Sequence, residues 1–436
     1  MRRTLSSICF VCFFAVALLC PWIAFAQINP PANCSTTSQN LWVRDQLNTF
    51  YYWNRFLPAN VNPSTFSSPE LYLDAVRYRP VDNTYSYITS AAANDAFFSD
   101  SQFIGYGFRQ QTSNTDIRVL QVYDDSPALE AGLARGDRIT HVNGQSIEQL
   151  VANGTAGSAF GAAEIGVVST IDFEKVSGER RQARMTKRLV TIPTVSHTRV
   201  VEVDGRRIGY LVFANFVQPS TAALNDAFAA MKAANVTELV LDLRYNGGGL
   251  VDVAVHLASL IGGSRTSGQV MLNYVHNDVI GPLYNKTTRF TSPEQALNLQ
   301  RLFVLTTRSS ASASELIINS LRPYMPVIVI GDTTYGKPVG QYGLRFCEKI
   351  LAPVSFSIKN ANDEGDFFDG IAPTCAAGDD YLHELGDPGE ASYAEALTYI
   401  RSGSCSVRGE TTSRVFRAFT HLVPRATGWS SIINSQ

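Results

Sequence analysis

From about residue 200 onward, short apolar segments typical of buried strands alternate with amphipathic helical segments. This alternation predicts parallel strands joined by helices, and such strands bury both of their faces only in a layered α/β core. Predicted strands cover residues 207–216, 238–243, 270–275, 302–306 and 327–331, and predicted helices cover residues 220–234, 250–261, 312–321 and 389–401. The fold class is therefore α/β, and an apolar fraction of 45% is sufficient for a sizeable core.

The charge balance argues against partners that carry many negative charges. The chain has 36 Lys and Arg residues against 38 Asp and Glu residues, which gives a net charge of −2. Without a strong basic field, neither nucleic-acid binding nor attachment to an anionic membrane surface is expected. The high apolar content also argues against intrinsic disorder, and a length of 436 residues predicts several domains.

The first 26 residues have the pattern of a bacterial signal peptide. A basic start precedes an apolar run over residues 8–19, and a small-x-small sequence ends at Ala26. We predict cleavage after Ala26 and export to the periplasm or the medium, with no stable membrane span in the mature chain. An uncleaved anchor is the first alternative. A lipoprotein site at Cys20 is the second, and it is disfavoured because Leu19 is not a small residue.

Four cysteines remain after removal of the signal peptide: Cys34, Cys347, Cys375 and Cys405. An even number in an oxidising compartment predicts two disulfides, for which three pairings exist. We favour Cys347–Cys375, because both cysteines flank strand-like segments in one region, and this leaves Cys34–Cys405. No pair has the short spacing of a zinc site, so no metal is predicted.

The region before the α/β core has two parts. Residues 27–100 are predicted to be largely helical, with one helix that begins at Ser68 as N-cap and Pro69 as its first residue. Residues 101–193 change to short strands and turns, with the sequence SPALEAGL over 126–133 and GDRITHVNG over 136–144. This second part closely resembles a PDZ domain.

The PDZ resemblance implies a peptide-binding loop between two strands. Consecutive backbone N–H groups of such a loop bind a terminal carboxylate, while the peptide adds to the sheet as a strand. The loop consists of Gly105, Tyr106, Gly107 and Phe108.

A serine-rich segment, SSASASE, covers residues 309–315 between a buried strand and an amphipathic helix. A hydroxyl at a helix start lies near free backbone N–H groups that carry a positive partial charge, which suits a nucleophile whose oxyanion must be stabilised. Taken alone, the segment is better explained by ordinary helix capping, because serine is the commonest N-cap residue.

Two further segments carry groups that such a nucleophile needs. Lys337 lies in GDTTYGKPVGQ among glycine, proline and apolar residues, where desolvation lowers the pKa of an amine, although a solvated surface lysine is the simpler explanation of that segment alone. The segment DLRYNGGG over 242–249 ends in three glycines, which permit a backbone N–H to approach a reacting carbonyl. Ser-Lys pairs are an established alternative to the Ser-His-Asp triad.

Together these segments resemble the tail-specific, or carboxyl-terminal processing, serine proteases. Members carry an SASASE-like segment, a lysine 25 residues later and a glutamine four residues beyond it, and this spacing selects Ser312, Lys337 and Gln341. The resemblance implies that Ser312 is the nucleophile, Lys337 the general base and Gln341 the residue that orients it. It implies an oxyanion hole from the N–H groups of Ala313 and of Gly247 or Gly248.

The resemblance also implies an architecture for the whole chain. The core is expected to be the layered ClpP/crotonase-like fold, with the PDZ domain inserted before it. The predicted divisions are a signal peptide (1–26), an N-terminal helical region (27–100), a PDZ domain (101–193), a protease core (194–402) and a tail (403–436).

The expected function is that of an exported serine endopeptidase without metal or organic cofactor. Its partners would be polypeptides with exposed C-termini. The PDZ domain would either recruit these polypeptides to the active site or act as a gate that controls the active site. The main alternative is a non-catalytic binding or carrier protein on the same scaffold. A PDZ scaffold protein is a further alternative, but it explains neither the glycine turn nor the Ser-Lys pair.

Overall fold

A computed structural model describes residues 29–406 of the chain. The predicted signal peptide with its three cysteines and most of the predicted tail lie outside these residues. Among the residues described, no helix combines the length and the apolar character that crossing a bilayer requires. Ser68 and Pro69 begin a helix as predicted, since the Ser68 hydroxyl accepts a hydrogen bond from the N–H of Leu71.

Within residues 29–406 the α-helices are α1 (Thr36–Phe50), α2 (Pro69–Val76), α3 (Ala91–Asp100), α4 (Pro127–Glu130), α5 (Ile147–Ala152), α6 (Ser220–Ala233), α7 (Val251–Gly262), α8 (Gly281–Tyr284), α9 (Ala313–Leu321) and α10 (Ala391–Ser402).

The strands of the same residues are β1 (Tyr87–Ser90), β2 (Gln102–Gly105), β3 (Phe108–Thr112), β4 (Ile117–Val122), β5 (Arg138–Val142), β6 (Gln145–Ser146), β7 (Val168–Glu174), β8 (Arg180–Thr186), β9 (Arg188–Thr191), β10 (Val195–Val203), β11 (Arg206–Phe213), β12 (Glu238–Asp242), β13 (Val270–His276), β14 (Thr287–Arg289), β15 (Leu302–Thr306), β16 (Val327–Gly331), β17 (Val339–Gln341), β18 (Leu344–Phe346), β19 (Lys349–Ala352), β20 (Val354–Lys359) and β21 (Cys375–Ala376).

The core is a six-stranded sheet in the order β10-β11-β12-β15-β16-β21. The neighbouring strands from β11 to β21 pair in parallel, and β10 is antiparallel at one edge. Helices α6, α7 and α9 pack in one apolar core with a four-stranded sheet (β14-β13-β20-β17), and α10 packs on the opposite face of the central sheet. This is the layered α/β arrangement that the strand–helix alternation predicts.

The N-terminal helices are joined to the core. Apolar side chains of α1 and α2 share a cluster with β18, β19 and β20. Strand β1 pairs antiparallel with β19, so this region completes a three-stranded sheet with the core. The segment between α2 and β1 is thereby placed against the residues that follow β16.

The predicted disulfide pairing is wrong. The structure joins Cys34 to Cys347 and Cys375 to Cys405. Cys347 lies in the turn between β18 and β19, beside the start of the helical region, whereas Cys375 begins β21 at the edge of the central sheet. The two cysteines flank different sheets, and the chain after α10 returns to β21, so neighbours along the sequence are not neighbours in space.

Candidate active site

The three segments singled out in the sequence meet at the carboxyl ends of the strands of the central sheet. Strands β12, β15 and β16 are consecutive and parallel, and each is followed by one of these segments. The glycine turn follows β12, Ser312 follows β15, and Lys337 follows β16. The carboxyl ends of neighbouring parallel strands lie on the same side of a sheet. This explains why the glycine turn at Gly247 and the turn at Lys337, 90 positions apart in sequence, come together.

Ser312 occupies the N-cap position of α9 with φ 56° and ψ −113°. A positive φ at a serine costs of order 1–3 kcal/mol, and such strain is concentrated at functional sites. The two neighbouring serines are buried, and their hydroxyls donate to backbone oxygens of the glycine segment: Ser310 to Leu243 at 2.7 Å and Ser314 to Asn246 at 2.8 Å. Ser312 instead lines a cavity.

The buried carboxylate of Glu315 joins the serine segment to the lysine segment. It accepts hydrogen bonds from the backbone N–H groups of Ser312 (2.8 Å), Gly336 (2.7 Å) and Lys337 (2.8 Å). It also accepts one from the Thr334 hydroxyl at 2.5 Å. Burial raises the pKa of Glu315, and the four donors oppose that shift. The side chain therefore fixes the backbone of Ser312 relative to that of Lys337.

Lys337 is only 3% exposed. Its Nζ donates to Oε1 of Gln341 at 2.9 Å, and the Gln341 amide nitrogen donates to the carbonyl oxygen of Tyr85 at 2.5 Å. Gln341 thus lies between the lysine and the segment before β1. This geometry fits the orienting role that the resemblance implies for Gln341.

Burial lowers the pKa of Lys337 to about 8, because desolvation penalises the ammonium form. The negative charges of Asp82 and Glu315 act in the opposite direction and are outweighed. Near neutral pH a measurable fraction of this amine is therefore unprotonated and able to accept a proton.

The glycine turn lies directly against Ser312. A Cβ atom on Gly248, which has φ +102°, would lie 2.8 Å from the Ser312 Cβ and 2.9 Å from the Ala313 nitrogen. Only a residue without a side chain fits there. The Gly248 N–H donates to Oδ1 of Asn246 at 2.9 Å, and the Asn246 carbonyl accepts the N–H of Ala311 at 3.1 Å. Asn246 therefore fixes the glycine turn to the serine segment.

Asp242 and Arg244, at the start of the same turn, belong to a buried network of charged side chains. The Arg244 side chain, 1% exposed, pairs with Asp242 at 2.7 Å and with Glu390 at 2.7 Å. Glu390 caps α10 by accepting backbone N–H groups at its start. This buried network connects the glycine turn to the helix on the far face of the sheet.

A cavity of about 310 Å³ is lined by four of the candidate residues, but not by Gly247 or Gly248. Ser312, Ala313, Lys337 and Gln341 line it together with Gly249, and its remaining wall is largely apolar. Phe356, Ile358 and Phe367 contribute to that wall, and no histidine among the described residues lines this cavity. The arrangement provides a hydroxyl, an amine base and an apolar surface for a side chain of a substrate.

The predicted peptide-binding loop joins β2, which pairs with β9, to β3, the first strand of a separate sheet of order β3-β4-β5-β7-β8. Gly105 ends β2, Phe108 begins β3, and Gly107 (φ +86°) packs so closely on Ser126 that a Cβ would lie 2.1 Å from its Cβ. The Tyr106 side chain is buried and donates to the Ser169 hydroxyl at 2.8 Å. Strand β3 is at the edge of its sheet, which is where an added peptide strand pairs.

The sheet of residues 108–186 is bound to the glycine turn through two arginines. The buried Arg135 donates to the Tyr245 hydroxyl at 2.7 Å and pairs with Asp379 at 2.9 Å. Arg109 on β3 donates to the Tyr245 carbonyl oxygen, one residue before Asn246. The edge strand is therefore in direct contact with the segment that carries the candidate oxyanion glycines.

Sequence reasoning missed the contribution of the N-terminal region to this site. The Tyr85 hydroxyl donates to the carbonyl oxygen of Gly336 at 2.6 Å, and Tyr87, Asn94 and Phe98 line the cavity. The only signal was Asp82 before Asn83-Thr84, a turn-forming pattern that does not reveal what the turn contacts.

Three family models match parts of this chain. The family model described as "Peptidase family S41" matches residues 207–376, "Peptidase S41 N-terminal domain" matches residues 38–87, and "PDZ domain" matches residues 118–152. A putative S41 protease from Bacteroides fragilis has a solved structure with a TM-score of 0.67 and 27% identity, covering 83% of this chain and 97% of that one. The photosystem II D1 C-terminal processing protease shares the fold, with a TM-score of 0.53 and 19% identity over 84% of this chain and 98% of that one.

Two curated relatives are similar in sequence. A carboxy-terminal-processing protease from Bartonella bacilliformis is 27% identical over 276 residues, which is 60% of each protein. A chloroplastic C-terminal processing peptidase from Tetradesmus obliquus is 28% identical over 234 residues, which is 52% of this chain and 48% of that protein. The matches thus span about half to three fifths of the length of these curated relatives.

The contact between Gly248 and Ser312 predicts the effect of one methyl group. Gly248→Ala should slow labelling of Ser312 by a fluorophosphonate at least about tenfold, because the added Cβ displaces the serine from its position. The matched control is Gly144→Ala, which also has a positive φ but nothing within 4 Å of the added atom. Both variants bear the backbone strain, and only the first should lose labelling. Equal labelling rates would contradict the contact.

Proposed function

Since the chain belongs to peptidase family S41, we propose that it is an exported serine endopeptidase in which Ser312 is the nucleophile and Lys337 the general base. The observation that carries this proposal is the buried amine of Lys337, whose pKa is lowered to about 8 in the cavity that Ser312 also lines. An amine with that pKa accepts a proton near neutral pH, which an ordinary surface lysine does not.

The proposed reaction has two stages. Lys337 takes the proton of the Ser312 hydroxyl as its oxygen attacks the scissile carbonyl, and the resulting ammonium then protonates the departing amine. Water attacks the acyl-enzyme in the second stage, and Lys337 again accepts and returns a proton. In this mechanism Gln341 orients the amine by accepting its hydrogen bond.

The oxyanion of each tetrahedral intermediate would be bound by backbone N–H groups. Ala313 is the first residue of α9, so its N–H is at the positive end of the helix. The second donor is Gly247 or Gly248. Because the Gly248 N–H donates to Asn246 in this conformation, its use would require the oxyanion to replace that side-chain oxygen.

The apolar wall of the cavity supports a preference for apolar side chains next to the cleaved bond. The edge strand β3 and the loop from Gly105 to Phe108 support recruitment of polypeptides by an exposed C-terminus. All four cysteines within residues 29–406 are paired in disulfides, which supports an oxidising compartment and hence export.

Substitution of the two proposed residues tests the chemistry. With labelled casein as an unfolded substrate, Ser312→Ala and Lys337→Ala should each lower the cleavage rate by about a thousandfold or more, because either change removes the activated nucleophile. The matched control is Ser309→Ala, which removes a hydroxyl from the same segment outside the cavity and should cleave like the wild type. Cleavage retained by Ser312→Ala would contradict the proposal.

Recognition of the C-terminus is tested with two peptides that differ only in their last group. A peptide with an apolar C-terminal residue and a free carboxylate should be cleaved with a kcat/KM about tenfold higher than its amide, since the amide lacks the charge that loop N–H groups bind. Initial rates at low substrate concentration give this ratio directly.

The same assay separates recruitment from gating. A short free-carboxylate peptide without a cleavable bond should compete if the domain only recruits, and it should accelerate cleavage of the amide if the domain acts as a gate. Equal rates for carboxylate and amide, with no effect of the added peptide, would contradict any role of the loop in recognition.

A further inference from the structure

A buried carboxylate of the N-terminal region holds the segment that contacts the residues around the proposed base. Asp82, between α2 and β1, is fully buried. Its Oδ1 accepts the backbone N–H groups of Tyr85 (3.0 Å) and Ser86 (2.9 Å), and its Oδ2 accepts the hydroxyls of Tyr51 (2.9 Å) and Ser86 (2.5 Å). Four donors compensate for the burial of one charged group, and together they fix the path of the chain from Asp82 to Ser86.

The segment that Asp82 holds contacts the chain on both sides of Lys337. Tyr85 donates its hydroxyl to the carbonyl oxygen of Gly336 at 2.6 Å, and its own carbonyl oxygen accepts the amide of Gln341 at 2.5 Å. An amide whose nitrogen is held in this way must direct its Oε1 elsewhere, and that oxygen accepts the hydrogen bond from Lys337. The orientation of Gln341 therefore depends on where Tyr85 lies.

The core secures the same segment at a further point. The Ser86 hydroxyl, which donates to Asp82, accepts the backbone N–H of Val354 at 2.9 Å. The Thr84 hydroxyl lies 3.0 Å from that of Tyr335. Residues 82–86 are thus a bridge between a region outside the α/β core and the turn that carries the base.

We propose that Asp82 is a positioning residue for Lys337, which acts through Tyr85 and Gln341 and supplies a second negative charge near the amine. The N-terminal region is then part of the catalytic apparatus and not only a covering of the core. This inference rests on the proposed Ser-Lys mechanism.

The charge of Asp82 gives the proposal a signature in the pH profile. The charged groups that act on Lys337 are Asp82 and Glu315, and both raise its pKa against the larger effect of burial. Burial raises the pKa of the Tyr87 phenol, so Tyr87 adds no charge near neutral pH. Removal of the Asp82 charge lowers the pKa of the amine further, so the acidic limb of the kcat profile must move to lower pH.

The decisive variant is Asp82→Asn, compared with the wild type by kcat and KM on one labelled peptide from pH 5 to 10. The maximal kcat should fall about tenfold or more with KM within about twofold, because Gln341 loses its support. The acidic limb should move down by on the order of one pH unit. A folded Asp82→Asn enzyme with the limb and the maximal kcat of the wild type would overturn the proposal.

The matched control is Tyr51→Phe. It removes one hydrogen bond from the same carboxylate but leaves the charge, so the limb should stay where it is in the wild type. A limb that moves equally in Tyr51→Phe would show that general loosening causes the shift, and would overturn the proposal.

A second variant decides the question if Asp82→Asn does not fold. Tyr85→Phe loses only the hydroxyl that binds Gly336 and should keep its fold, since a single hydrogen bond contributes little to the stability of the whole chain. Its kcat should fall several-fold with KM unchanged, and a wild-type kcat would overturn the proposal. Ser312→Ala is measured beside these variants. Activity retained there refutes the Ser-Lys mechanism itself, whereas loss there with a normal Asp82→Asn profile refutes only the role of Asp82.

Discussion

The geometry of the site depends on the hydrogen bonds that the buried carboxylate of Glu315 accepts. One side chain accepts N–H groups from Ser312, at the start of a helix, and from Gly336 and Lys337, in the turn after the next strand. Because a buried acceptor with several charge-assisted bonds tolerates little displacement, the two segments are fixed relative to each other. The strained backbone of Ser312 persists because its N–H is held in this way.

A second constraint is the removal of water from Lys337. The amine is covered by the α/β core, by the strand that carries Gln341 and by the segment that contains Tyr85. This burial lowers its pKa, while Asp82 and Glu315 keep it from falling as far as burial alone would take it. The site thus balances desolvation against charge, and three separate parts of the chain contribute to that balance.

The α/β core could be predicted from the sequence because strand–helix alternation is a local pattern. The choice of Ser312, Lys337 and Gln341 depended instead on the spacing that the family resemblance supplies. The carboxyl ends of neighbouring parallel strands then bring the segments together. Long-range placement could not be predicted in the same way. The cysteine pairing was wrong because Cys347 and Cys375 flank different sheets. Asp82 was missed because the segment it holds supports a turn that is distant in sequence: Tyr85 and Gly336 are 251 positions apart.

The state of the Lys337 amine is the claim on which the account depends most, and it can be measured without substrate. The Lys337 Nζ can be titrated by NMR in isotopically labelled Ser312→Ala protein, in which no reaction interferes, with Lys337→Arg used to assign the resonance. The account predicts a pKa near the value of about 8 that burial imposes. A pKa at or above the ordinary value of about 10.4 would show that the amine is solvated and charged, and would contradict its role as a base.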